Sequence, residues 1–353
     1  MTRLADTYGV DAIVKKGRES EKHGPQVALA ATAAAAAFGA AVLHAMPADM
    51  AVTVPPAVWP LGVASGAVAA GIGARRLWTE VGSRLVWRMP RKRPAHAGAI
   101  PVCLGFSTAT GRFETVSLEA LPHLMIAGQT RAGKSSFERQ VLSGIVLWTR
   151  PAEARVVIID CKGGVEFAWM AKAPHVRQVA TDEDEAVAVL AEVEAAVEDR
   201  LAAMRRAGVV DCREVAGLGR VVVVVDELAE LQESKEAMRS LRRIAARGGA
   251  AGVHLILATQ RPDKDALPGP IKANIPAGVC FRVKNRTNSE IVLDKGGAED
   301  LPPKGTAIWQ WVREYVVRTP WVSHAEAQEI VAAAIERASQ ERQQVPALGG
   351  RTR

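Results

Sequence analysis

Four runs of consecutive apolar residues, 122–127 (PHLMIA), 155–160 (RVVIID), 220–225 (RVVVVV) and 253–258 (VHLILA), are separated by longer stretches with helical spacing. Short runs that do not alternate with polar residues predict strands buried on both faces, as in a parallel sheet covered by helices. Helices are predicted near 133–148, 183–207 and 235–247, with later strands near 279–283 and 305–311. The pattern starts near residue 98 and predicts an α/β domain over 98–322, built on a central, mostly parallel sheet. Ser323 and Glu326 stand in the S-x-x-E arrangement that opens a helix, so 323–353 reads as a C-terminal helix ending in a flexible tail.

The first 74 residues follow another pattern. Residues 27–46 contain no charge and match the length of a membrane span at about 1.5 Å per residue. A second uncharged stretch follows Pro47, Ala48 and Asp49, so two transmembrane helices are expected, at about 27–46 and 51–74, forming a hairpin ahead of the α/β domain. Basic residues flank the pair on both sides. That arrangement places the segment 1–26 and the basic juxtamembrane linker 75–97 on the cytoplasmic face of the cell membrane. Two other readings stand beside this one: Ala-rich helices packed in a soluble domain, and a cleaved signal peptide.

Composition alters the picture in one respect. The 353 residues carry a net charge of +7 and a pI near 9.4, which invites a nucleic-acid partner. Residues 75–93, however, hold seven basic groups against Glu80 alone, so the excess is concentrated beside the spans rather than over the α/β domain. Any DNA-facing surface must therefore be local. The 48% apolar content excludes wholesale disorder. Four cysteines, at 103, 161, 212 and 280, lack the close spacings of metal sites or disulfide frameworks and fit a reducing compartment.

The chemistry lies at the strand ends. Residues 128–135 read GQTRAGKS between a predicted strand and a predicted helix. Gly128 and Gly133 let backbone amides curl around a phosphate, Lys134 reaches the β and γ oxygens, and Ser135 offers a hydroxyl to Mg²⁺. Gln129, Thr130, Arg131, Ala132 and Ser136 complete the candidate nucleotide-contacting set. The strand 221–225 ends in Asp226, a second Mg²⁺ ligand, and Glu227, which would orient and deprotonate the attacking water. The strand at 253–258 runs into Thr259 and Gln260, and Gln260 faces the γ-phosphate as a sensor of hydrolysis. ATP and Mg²⁺ are the expected cofactors. An exported chain would find no ATP, which counts against the signal peptide.

HLMIAGQTRAGKS, IIDCKGG, VVVVVDELAEL and the stretch 252–283 with ATQRP and IKANIP together resemble the motor domain of the FtsK/SpoIIIE family of DNA translocases. The resemblance covers about residues 98–320. It implies a RecA-like P-loop NTPase that assembles as a homo-hexamer around double-stranded DNA, contacting the backbone without reading sequence, with ATP between subunits. On it, Gly128–Ser135 bind nucleotide, Asp226 and Glu227 carry hydrolysis, and Gln260 senses phosphate. It points to plasmid or mobile-element transfer by conjugation, with chromosome segregation as a second role. A protein-secretion or coupling ATPase of the type VII kind is the alternative from the same superfamily.

The chain departs from the family pattern where two arginines are customary, carrying Gly249-Ala-Ala-Gly252 and Asn288-Ser289-Glu290 instead. A ring motor takes a transition-state cation from the neighbouring subunit, and Arg247 or Arg286 would supply it if not simply solvated. Asp160 and Lys162 either couple the ATP site to the channel or are a strand-end acid and an exposed base.

Overall fold

The computed structural model describes residues 89–94, 98–107, 112–263 and 265–344. Ten strands form one sheet: β1 (Pro101–Ser107), β2 (Arg112–Ser117), β3 (His123–Ala127), β4 (Ala154–Ile159), β5 (Val176–Ala180), β6 (Arg220–Val225), β7 (Val253–Thr259), β8 (Ala277–Phe281), β9 (Thr306–Gln310) and β10 (Glu314–Arg318). Among the described residues six α-helices accompany it: α1 (Lys134–Trp148), α2 (Glu183–Ala207), α3 (Lys235–Arg247), α4 (Gly269–Lys272), α5 (Arg286–Leu293) and α6 (His324–Gln344).

Spatial order in the sheet is β2-β1-β10-β9-β8-β3-β7-β6-β4-β5. From β8 to β5 every pairing is parallel. Beyond β8 the sheet continues antiparallel through β9, β10, β1 and β2. The parallel half matches the α/β expectation, with β7 inserted between the loop-bearing β3 and the acid-bearing β6. In the antiparallel half β9 falls on the strand expected near 305–311, whereas β1, β2 and β10, together with β5 and α5, were not legible in the hydrophobic pattern. β2 and β5 are largely half-buried edge strands, so they lack the unbroken apolar run that marks their neighbours.

Both faces of the parallel half are covered. Leu124, Ile126, Val222, Val224, Ile256 and Ala258 point into one core with Phe137, Val141 and Ile145 of α1. The alternate residues Met125, Val223, Val225, Leu255 and Leu257 pack against Val189, Val193, Leu241 and Ile244 of α2 and α3. This two-sided burial is the physical reason for the apolar runs.

Local chemistry fixes the helix ends. The Asp182 carboxylate accepts from the Glu185 amide at 2.9 Å to start α2, and Gly208 stops it in the left-handed conformation at φ 69°. Helix α6 closes the first face, with Ala327, Ile330, Val331 and Ala334 in the α1 core, while Arg337 donates to the carbonyls of Val146 and Leu147 at the end of α1. The Ser323 hydroxyl caps α6 through the Glu326 amide at 3.1 Å. Only half of the expected reciprocal cap forms, because the Glu326 carboxylate pairs instead with Arg91 at 3.2 Å. Among the described residues no helix is long and apolar enough to cross a membrane. The spans expected at 27–46 and 51–74 lie outside those residues.

Two buried histidines join β3 to β7. His123 Nδ1 accepts from the Leu255 amide at 2.9 Å, and His254 Nδ1 sits 3.1 Å from the Pro122 carbonyl while its Nε2 has no partner. Burial drives both down, His123 to about 3, with His254 beside it adding to the shift, and His254 to about 4. Protonation of His123 would break its bond to Leu255, and a charged His254 would bury an unpaired N–H. Each imidazole is thus neutral when folded but titrates near about 6.5 when unfolded, so stability is full above that pH and is lost as acid is added. Between about pH 6 and 4.5, unfolding free energy measured by denaturant should fall with a slope that His254→Gln reduces by up to about 1.4 kcal/mol per pH unit. An unchanged slope in the variant contradicts the assignment.

Candidate nucleotide-binding site

Four neighbouring parallel strands, β3, β7, β6 and β4, deliver their carboxyl ends to one edge of the sheet, where ligands bind in open α/β folds. The loop 128–133 leaves β3 there and is braced from behind. Gly128 N donates to the Thr259 carbonyl at 3.2 Å, Gln129 N to the Arg282 carbonyl at 2.9 Å, and Gly305 N to the Ala132 carbonyl at 2.8 Å. Two glycines are required by this packing. A Cβ on Gly128 would lie 2.6 Å from Phe281 Cβ, and one on Gly133, which has φ 125°, would lie 2.8 Å from Gly305 N. Beneath the loop Phe137 and Phe281 are fully buried with ring centroids 5.7 Å apart, a contact of about 0.5–1.5 kcal/mol beyond burial.

Helix α1 then begins with no side-chain cap and no acid in its first turn. Its first amide groups and its dipole are left for an anion. Lys134 lies in that turn with a side chain only 3% exposed. All three ammonium protons are engaged, by the Asp226 carbonyl at 2.6 Å, Asp226 Oδ1 at 2.7 Å and Glu138 Oε2 at 3.0 Å. Burial alone would depress Lys134, but the Glu138 and Asp226 carboxylates outweigh it and hold the ammonium charged, above the ordinary lysine range. Burial pushes Glu138 well up, Lys134 opposes this, and Asp226 adds to it. Two carboxylates thus share one cation, and Glu138 Oε1 is buried without a partner.

Glu227, nearly buried, is held on both oxygens. Thr259 Oγ1 donates to Oε1 at 2.6 Å, Gln260 N reaches Oε1 at 3.0 Å and Oε2 at 3.1 Å, and Lys162 Nζ approaches Oε2 at 3.1 Å. The Gln260 side-chain oxygen accepts from Thr130 Oγ1 at 2.8 Å, so Gln260 links the loop to the acid. Lys134 with Asp226, and Glu227 with Gln260, are thus two hydrogen-bonded sets side by side, adjoining where Asp226 and Glu227 follow each other at the end of β6. Thr130 and Arg131 are exposed, Gln129, Ser135 and Ser136 half-buried, and Arg131 has a left-handed φ of 66°.

The residues fit a nucleotide triphosphate and a hard divalent cation. Uncapped amides, a buried ammonium and the glycine-shaped loop suit phosphate oxygens. Ser135 and Asp226 supply oxygen donors, the type Mg²⁺ takes. Among the described residues no group of three or more His, Cys, Asp or Glu could hold a metal ion, so Mg²⁺ would complete its shell with phosphate and water.

Asp160 Oδ2 accepts from the Glu166 and Phe167 amides at 3.0 Å each and shapes the turn after β4, while its Oδ1 is buried without a partner. Arg247, at the end of α3, is paired with Glu198, and Arg286, opening α5, is paired with Glu290 at 2.7 Å. Both guanidinium groups face carboxylates of their own chain. Asn288, where the family pattern differs, ties α5 to the Pro262 carbonyl at 2.7 Å. Glu138 and the Lys162–Glu227 pair were missed in the sequence. The signal for Glu138 was its place as the sole acid of α1, one turn after Lys134.

The family model for FtsK/SpoIIIE matches residues 85–220 and 212–264. DNA translocase FtsK of Tropheryma whipplei is 32% identical over 259 residues, covering 67% of this chain and 35% of that protein. Its namesake in Lactococcus lactis subsp. cremoris is 34% identical over 255 residues, covering 66% and 33%. The chain thus spans about a third of the length of these curated relatives. Among solved structures, the pCW3 conjugation coupling protein TcpA matches with a TM-score of 0.60 at 23% identity over 81% of this chain and 90% of that one. The cytoplasmic domain of the Thermomonospora curvata type VII secretion ATPase EccC matches with a TM-score of 0.60 at 21% identity, covering 69% and 32%. At these identities the two structures speak for the shared α/β fold alone. The family model, in contrast, follows the sequence continuously from residue 85 through the loop, both acids and Gln260, more than half of its length, and the chain belongs to the FtsK/SpoIIIE family.

Proposed function

We propose that this chain is an Mg²⁺-dependent ATPase that moves double-stranded DNA, anchored in the cell membrane by the 27–46 and 51–74 spans and working as a homo-hexamer. The observation that carries the reading is that Lys134 at the start of α1 meets Asp226 while the next residue, Glu227, meets Gln260, with Asp226–Glu227 and Gln260 ending the adjacent strands β6 and β7. Lys134 would exchange its carboxylates for the β and γ oxygens, and the α1 amides would hold the remaining charge. Bound Mg²⁺ would neutralise charge developing on the phosphates. Glu227 orients and deprotonates the attacking water, and Gln260 passes the state of the γ-phosphate between Thr130 and Glu227. Arg247 or Arg286, freed from its own carboxylate, would complete a neighbour's site. Transfer of a plasmid or mobile element is the role we favour, with chromosome segregation second. A secretion or coupling ATPase is the competing reading, favoured by the Lys162-Gly163-Gly164 turn that resembles the type VII segment.

Linear duplex DNA added to the full-length chain in detergent should raise ATP turnover about tenfold, with affinity dropping steeply between roughly 50 and 200 mM salt. Turnover indifferent to DNA contradicts the translocase reading. Glu227→Gln should keep ATP bound while lowering turnover by about 10²–10⁴-fold, read by single-turnover hydrolysis. Near-normal hydrolysis in that variant would place the base elsewhere.

A further inference from the structure

The candidate base is not free in this structure. Thr259, the Gln260 amide and Lys162 together occupy both oxygens of Glu227, and a carboxylate so engaged has little capacity left to take a proton from water. Of these partners, two belong to the end of β7 beside the sheet core. Lys162 differs. Its side chain is 37% exposed against 6% for Glu227, so one end of the ion pair can be reached from solvent while the other cannot. The turn that carries it is built outward: Gly163 and Gly164 have φ of 73° and 70°, a side chain on Gly163 would meet nothing within 4 Å, and Val165 is 84% exposed. Asp160 anchors the base of the same turn through the Glu166 and Phe167 amides. An anion has room to approach Lys162 without disturbing the strands.

We propose that Lys162 is a positioning residue that restrains Glu227 until a backbone phosphate of duplex DNA takes its ammonium, so that DNA contact releases the base. The proposal rests on the translocase reading above and adds the route by which DNA reaches the chemistry. It also follows that the two contacts compete. Whatever weakens the hold of Glu227 on Lys162 must strengthen the hold of DNA on Lys162, because coupling between two sites is reciprocal. Lysine suits this task better than arginine, since its ammonium is a flexible point charge that trades one oxygen for another, whereas a guanidinium binds a carboxylate in a two-pronged fork.

The test uses the full-length chain in detergent, with linear duplex DNA as the probe. Lys162→Met should raise DNA-free ATP turnover about tenfold and shrink the stimulation by DNA to about twofold or less, whereas Lys162→Arg, which keeps the ion pair, should stay restrained. A Lys162→Met variant that loses turnover equally with and without DNA overturns the proposal, because Lys162 would then be aiding the base. Binding without nucleotide supplies a second readout. Glu227→Gln should tighten duplex binding about fivefold in the native background and not at all in the Lys162→Met background, while Lys162→Met alone lowers the salt slope by about 0.9. Equal tightening in both backgrounds overturns the switch but leaves the translocase reading standing. A chain that binds no duplex at all overturns both.

Discussion

An ammonium group that has lost nearly all its water, Lys134, is held between Asp226 of β6 and Glu138 of its own helix, and the site is organised around that contact. Burying charges costs several kcal/mol per ion unless good geometry and further hydrogen bonds offset the loss. Here the geometry is met for the cation, whose three protons are all engaged, but not for Glu138, which burial pushes toward its neutral form and whose Oε1 has no partner. The arrangement is internally satisfied on the lysine side and one partner short on the Glu138 side. Nucleotide arriving with a divalent cation would offer Lys134 phosphate oxygens in exchange for its carboxyl partners and give Asp226 a cation in place of the ammonium. The loop does not have to fold around its ligand, since its shape is already set by Phe281, Arg282 and Gly305 behind it.

The same edge of the sheet links the steps of the proposed reaction. Gln260 touches Thr130 of the loop through its side chain and Glu227 through its amide, so in the proposed reaction a change at the γ-phosphate position would reach Glu227 over two hydrogen bonds. Glu227 in turn meets Lys162 on β4's outgoing turn. Loop, sensor, base and surface are joined in one short path, and its members sit at the ends of strands that are buried on both faces and therefore cannot shift easily.

How much of this was legible depends on where the information lay. The strands β3, β4, β6 and β7 were readable because two-sided burial writes an unbroken apolar run, and the loop was readable because Gly128, Gly133 and Lys134 each meet a separate steric or charge demand. β1, β2 and β10 were not: β2 and β10 are mostly exposed or half-buried, so polar residues break their runs, and β1, though buried, is interrupted by Gly105 at a register shift against β2. Asp226 and Glu227 could be placed from sequence, but their partners could not. Glu138 pairs within its own helix, yet nothing local says that the helix face is buried; Lys162 is 65 residues from Glu227 and meets it only because β4 lies beside β6. Asp160, placed by sequence at a strand end, shapes the following turn through one oxygen, contacts that only the folded chain reveals.

The central claim is that Lys134 is held in reserve by carboxylates and delivered to phosphate. A high-resolution structure of the Glu227→Gln variant with Mg²⁺ and ATP tests it directly. Lys134 Nζ should stand about 3 Å from the β and γ oxygens, with its contact to Glu138 broken and Asp226 turned toward the cation. Bound ATP with Lys134 still on Glu138 and Asp226 would contradict the account.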